Sequence, residues 1–278
     1  MKKKFSWIYV FAVLFLIIWS LGPILWSVVM SITPQRELFS SSTILPQEPS
    51  FSNYQQLLSK DSKPGSAFLR GMRNSFTTSI LTVILVLPIA AFSAYAFSRM
   101  RFKGKEIIRV CLLITFVVPV LATIISLYQM FGAWGLLDKK AGLIVIYASA
   151  FFPLIVWMLS NYFETIPREL EEAAWLDGCT RLQTLFKVIL PLSYPVLFAS
   201  ALTILLNTWN QFLIPLIMAP VPAIKPLTVV ITEFVTKNTT EYGLITAGGL
   251  LALLPPAAIA ILFRKYIASG VVAGAVKG

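Results

Sequence analysis

Histidine is missing from all 278 residues. Its absence excludes a Ser-His-Asp or Cys-His nucleophile system, histidine metal ligands and a histidine proton shuttle. A phosphate-binding loop of the form GxxxxGK(S/T) is also missing. The nearest fragment, Gly104-Lys105, runs into Glu106 and lacks the earlier glycine. The chain therefore has no route of that kind to ATP hydrolysis. Cysteine is scarce. Cys111 lies in an apolar run and Cys179 in a polar one, so the two imply neither a disulfide framework nor a metal site. Charge is scarce too, at 13% of residues against about 25% in soluble domains.

Apolar residues fill that space, at 57% of the chain. Six stretches are free of Asp, Glu, Lys and Arg: 5–35, 74–98, 110–137, 141–163, 188–224 and 242–263. Each is long enough to cross roughly 30 Å of hydrocarbon as a helix. The expected fold class is an all-α integral membrane protein with six transmembrane helices. The basic start and apolar run of residues 1–32 have the outline of a signal peptide. The run is too long for one and lacks a small-x-small site, so a retained first helix is expected.

The formal charge of +11 invites a nucleic-acid reading, but basic residues flanking spans set orientation instead. With the N-terminus inside, most of the 23 Lys and Arg fall inside, led by the cluster at 99–109. Both termini and the 172–191 loop then face the cytoplasm, and the partners are membrane lipid and protein rather than nucleic acid. The uncharged spans disfavour a proton-coupled transporter, which places ionisable groups at membrane depth. They argue less strongly against sodium coupling through backbone carbonyls. A membrane enzyme is disfavoured by the missing histidine and the missing intramembrane carboxylates.

Between the first two spans, 33–73 reads as an outer segment with four prolines and some helix near Tyr54–Leu58. Helix is then expected from about Ser75 to Phe97, a kink at Pro119, and a fifth span running to about Met218. The polar island 172–191 is organised differently from a spacer. Pro167 suits a helix's first turn, and Glu169, Glu171 and Glu172 suit the positive end of its dipole. Gly178 is placed to end that helix. Thr180 and Gln183 then fit a capping box, and Leu182, Leu185, Phe186 and Ile189 share an apolar face. Pro191 marks the entry to the fifth span.

Three constellations remain open on the residues alone. Glu172, Ala173 and Ala174, with Asp177 and Gly178, suit a protein docking element or an amphipathic helix on the membrane surface. Asn207, Asn210 and Gln211 share a helix face, as helix glue or as the lining of a substrate pathway. The tail ending Gly274-Ala275-Val276-Lys277-Gly278 is either a solvated end or a docked strand.

Glu172-Ala173-Ala174, Gly178, Val188, Leu190 and Pro191 closely resemble the signature loop of ABC importer permeases. The tail from Ala273 to Gly278 resembles the ending of the second membrane subunit in maltose-type carbohydrate importers, and Trp209-Asn210-x-Phe212 resembles a sequence common in sugar-type permeases. The resemblance implies the type I ABC importer permease fold, a coupling role for Glu172–Gly178, and an ATPase-docking role for the tail. It implies that the outer segment 218–242 reaches a binding protein. It implies two ATP-binding subunits carrying ATP and Mg2+, a different second permease and an extracytoplasmic sugar-binding protein. No cofactor or metal is expected on this chain, which performs no bond chemistry itself. The expected place is a bacterial cell membrane, and the expected cargo a sugar or oligosaccharide. Polyamine, phosphonate and peptide importers share the loop and stay open as alternatives. The expected organisation is 1–74 as first helix and outer segment, 75–264 as permease core and 265–278 as tail.

Overall fold

The computed structural model describes residues 7–40, 45–115, 120–235 and 240–263. Those residues are mostly helical, joined by turns and short loops, and the β-pairing among them is one isolated bridge between Val235 and Thr240. Among the described residues, four helices are long and apolar enough to cross a membrane: α1 (Trp7–Ile32), α4 (Lys63–Arg99), α7 (Lys140–Thr165) and α13 (Tyr242–Leu262). Two further apolar helical segments, Arg181–Leu192 and Tyr194–Trp209, form a pair bent by 80°, which counts as a fifth span only where the two cross together. The stretch expected as the third span, 110–137, carries α5 (Lys105–Ile114) and α6 (Val120–Ala133), each too short to cross a membrane alone, so four or at most five of the six expected spans are present among the described residues. Pro119, the expected kink, lies outside the described residues.

Apolar surface decides what surrounds these helices. The apolar stretch of α1 buries none of its residues within this chain, and Phe11, Leu16, Ile18 and Trp19 are all exposed. Leaving such side chains in water would cost about 1.5–3 kcal/mol each. Hydrocarbon or a neighbouring helix must cover them. α4 shows the same logic on two faces. Val86, Ala90, Ala94 and Tyr95 pack inward, while Ile80, Ile84, Ile89 and Phe92 face out and are equally apolar.

The chain divides into two compact units. The first holds Met1–Met72 and Val229–Pro255. In it, α1 ends on α3 (Ser52–Leu58): Asn53 Nδ2 donates to the Ser31 carbonyl at 2.8 Å, and Ser31 Oγ lies 2.7 Å from Tyr54 Oη. Gly243 packs so closely on Asn53 that a β-carbon there would collide with its side chain. The helix expected near Tyr54–Leu58 is therefore present, starting slightly earlier. A short helix, α2 (Glu37–Ser40), precedes it.

The second unit holds Arg73–Thr228 and Pro256–Gly278. Its main core joins α4 to α7 through Val86, Ala90, Tyr95, Ile155, Leu159 and Phe163, and takes in Leu185, Ile189, Val196 and Ile204. A second cluster joins Phe131, Leu143 and Tyr147 to Ile214 and Met218.

Two helix boundaries differ from expectation. α4 begins at Lys63 rather than near Ser75, so it takes up part of the expected outer loop. Pro64 sits in its first turn, where a missing N–H is harmless. The fifth span does not run unbroken to Met218. Tyr194–Trp209 (α11) stops, and α12 (Leu213–Met218) follows. Pro215 explains the stop, because it cannot donate to the Gln211 carbonyl four residues earlier. That carbonyl instead accepts from Thr228 Oγ1 at 2.6 Å.

Candidate functional site: the polar loop between α7 and α11

The loop begins where α7 ends at Thr165 and Ile166 turns extended. α8 (Glu169–Leu176) follows, with Arg168 as its N-cap and Pro167 one residue outside. Glu169, Glu171 and Glu172 fill the first turn, the favourable end of the dipole for carboxylates. The helix closes as the sequence suggests. Gly178 adopts φ 84°, its N–H donates to the Trp175 carbonyl at 3.0 Å, and the Cys179 N–H donates to the Ala174 carbonyl at 2.9 Å. This is a Schellman closure, which requires the left-handed conformation that glycine adopts without penalty.

The capping box is present. The Gln183 N–H donates to Thr180 Oγ1 at 3.3 Å, and the Thr180 N–H donates to Gln183 Oε1 at 2.8 Å. α9 (Arg181–Thr184) then passes into a π-helical turn, Leu185–Ile189, and a short α10 (Leu190–Leu192). Pro191 and Pro195 each remove a ladder donor here, which accounts for the wide turn and the 80° bend at Ser193. Of the expected apolar face, Leu185 and Ile189 are buried, whereas Leu182 and Phe186 stay exposed. Phe186 still meets Phe92 of α4 edge-on, with centroids 5.9 Å apart.

One buried polar cluster was not foreseen. Glu171 is 2% exposed and forms an ion pair with Arg99, the last residue of α4. Arg99 Nε and Glu171 Oε1 lie 2.5 Å apart but are not aligned as a hydrogen bond. The aligned bonds come from the other atoms. Tyr95 Oη donates to Glu171 Oε2 at 3.3 Å, and Arg99 Nη2 donates to the Ile166 carbonyl at 2.6 Å. The sequence placed Arg99 only in a basic cluster and Glu171 only in a helix start. Arg99 ending an apolar run was the available signal.

The outward side of α8 carries the expected site residues. Glu172, Ala173, Asp177 and Gly178 are exposed. Ala174 is not: it is buried, so only one of the two alanines faces outward. Exposed apolar side chains accompany them. Leu176 is 90% exposed, Leu170 and Trp175 are partly so, and the Arg181 guanidinium lies 5.1 Å from the Trp175 ring centre. These flanking apolar residues were also missed in the sequence.

The three amides are dispersed. Asn207 is exposed on α11 and donates from Nδ2 to the Thr203 carbonyl of its own helix at 2.8 Å. Asn210 caps α11 and Gln211 lies in the break beyond it, so they do not share one unbroken helix. Their neighbour Trp209 is buried against Phe76, with centroids 4.8 Å apart. Elsewhere on α4, Asn74 Nδ2 donates to the carbonyls of Ala223 and Lys225, both at 3.0 Å, and Ser75 Oγ accepts from the Leu227 N–H at 2.9 Å. The expected tail site, Gly274 to Gly278, lies outside the described residues. Among the described residues no cluster of His, Cys, Asp and Glu could hold a metal ion.

Apolar helices long enough to cross a membrane, joined by an ordered polar loop, define an integral membrane protein. Residues 86–272 match the family described as binding-protein-dependent transport system inner membrane component, and the chain belongs to that family. It is 31% identical to the sulfoquinovosyl glycerol transport system permease protein of Agrobacterium fabrum, over 95% of this chain and 91% of that one. It is also 31% identical to the trehalose/maltose transport system permease protein of Thermococcus litoralis, over 93% and 92% of the two chains. A trehalose transport system permease protein of Mycobacterium tuberculosis is 30% identical, over 94% and 93%. The fold matches a bacterial ABC transporter that imports the acidic polysaccharide alginate, with TM-score 0.81, 24% identity and 96% and 98% coverage.

Proposed function

We propose that this chain is the permease subunit of an ATP-driven importer of a sugar or oligosaccharide, and that α8 receives the motion of the ATPase. The cargo class is supported by the relatives, whose names specify sulfoquinovosyl glycerol, trehalose and maltose. The coupling role is carried by one observation. α8 is tied down on its inner side and capped at its end, yet it turns Glu172, Ala173 and Leu176 outward. A bare leucine beside a small residue and a carboxylate suits a protein cleft lined with apolar and basic groups. Asp177 adds to this. A carboxylate at the negative end of a helix is unfavourable by itself, and a basic partner group would offset it.

In this reading the loop and both termini face the cytoplasm of a bacterial cell. Two partner subunits bind ATP and Mg2+, a second and different permease completes the pathway, and an extracytoplasmic binding protein delivers the sugar. Closure of the ATPase pair pushes α8, and the membrane helices alternate between inward and outward access. The tail 274–278 docks between the ATPase subunits. Asn207, Asn210 and Gln211 border the pathway, Asn207 being free to offer its amide oxygen while its Nδ2 is held. The test is the purified assembly in proteoliposomes, with ATPase measured with and without binding protein and sugars. Stimulation that survives both Glu172→Ala and removal of the tail would count against the coupling assignment.

A further inference from the structure

We infer that Arg99 and Glu171 are positioning residues that lock α8 to the end of α4, so that displacement of α8 passes directly into that span. The inference rests on the coupling role proposed for α8. Chain connectivity alone would send the motion into α7, which precedes α8, or into the bent pair that follows it. α4 lies far upstream in the sequence, and its attachment to the loop is made by side chains.

That attachment is built to resist separation. Both charged side chains are almost fully enclosed, at 5% and 3% exposure, so drawing them apart would leave two charges in poor surroundings. Each group is held by a further bond. Tyr95, one turn before Arg99 on the same helix, donates to the second Glu171 oxygen. Arg99 also holds the Ile166 carbonyl, at the junction where α7 gives way to α8. The junction that could act as a hinge is thus fastened to α4 as well. Phe92 on Phe186 makes a second link, farther along the loop. α4, the α7–α8 junction and α8 therefore shift together. Glu171 serves this inner linkage while its neighbour Glu172 is left for the partner.

The test uses the full assembly with its ATP-binding subunits, Cys111 and Cys179 replaced by serine, and no cargo. One reporter cysteine is placed on α8, as Ala173→Cys, and another just past α4, as Arg101→Cys. Maleimide labelling rates are compared with and without a non-hydrolysable ATP analogue. Both reporters should respond to nucleotide in the parent. In Arg99→Met/Glu171→Leu, which keeps volume without charge, the Ala173→Cys response should persist and the Arg101→Cys response should be lost. Exchange of the charges, Arg99→Glu/Glu171→Arg, should restore part of it. If the apolar pair fails to assemble, Glu171→Gln carries the same comparison. An Arg101→Cys response of parental size in the uncharged variant would overturn the inference while leaving α8 as the receiver. Absence of any Ala173→Cys response in the parent would instead remove the coupling role itself.

Discussion

Glu171 and Glu172 are adjacent and chemically identical, yet one is buried and the other exposed on α8. Glu171 is enclosed against Arg99, and Glu172 is open to solvent. Their substitutions should therefore separate stability from activity. Removing one partner of a buried ion pair typically costs about 3–5 kcal/mol. Glu171→Ala should lower the melting temperature of the detergent-solubilised chain measurably. Glu172→Ala should leave it unchanged and reduce the ATPase stimulation produced by binding protein. Equal melting shifts for the two variants would contradict the different burial of the two side chains.

Gly178 offers a purely conformational test. A β-carbon at this position would meet no atom within 4 Å, so any cost comes from the backbone. At φ 84° an alanine is strained by about 1–2 kcal/mol. Gly178→Ala should destabilise by that amount, and Gly178→Asn by less, since asparagine visits the left-handed region more readily. Calorimetry in detergent reads the order. If Gly178→Asn matches glycine in stability but loses ATPase assembly, the partner approaches this turn closely.

Much of this loop was legible because its signals are local. Thr180, Gln183 and Gly178 act on atoms within a few residues, and all three behave as their spacing suggests. The Glu171 burial was not legible, because the helix-dipole argument treats Glu169, Glu171 and Glu172 alike. Only Arg99, arriving from another span, distinguishes them. The start of α4 was missed for a different reason. Residues 63–73 carry Lys63, Arg70 and Arg73, so the apolar reading stops where the helix does not. The break after Trp209 was half legible. Pro215 announces a lost donor, but the acceptance of Thr228 by the freed Gln211 carbonyl depends on tertiary placement. Ala174 shows the limit of motif reasoning: the pair of alanines is present, and only Ala173 is available at the surface.

Asn207 should affect transport more than folding. Its amide nitrogen is satisfied within its own helix, and exposed substitutions of this kind usually change stability by no more than about 0.5 kcal/mol. Asn207→Ala should therefore keep the melting temperature, and raise the KM for uptake if the residue borders the sugar's route. A large loss of stability with unchanged KM would assign it to helix packing against another subunit.

Asn74 gives the sharpest test of how the segment 219–226 is held. One amide nitrogen serves two carbonyls, those of Ala223 and Lys225. Asn74→Leu removes the donor and leaves both acceptors beside an apolar side chain. Each lost hydrogen bond costs about 0.5–1.5 kcal/mol, with the exposed Ala223 carbonyl at the low end because water can replace the amide there. Asn74→Asp should be worse, because an ionised carboxylate offers only acceptors and would face two more. Ser75 stays in place in both variants and keeps its bond to the Leu227 N–H, so the segment should loosen rather than detach. Limited proteolysis across 219–226 should accelerate in the order wild type, Asn74→Leu, Asn74→Asp. If Asn74→Asp is as resistant as the parent, the two carbonyl contacts do not hold this segment. If cleavage accelerates while uptake is unchanged, the anchored segment does not need its fixed position for transport.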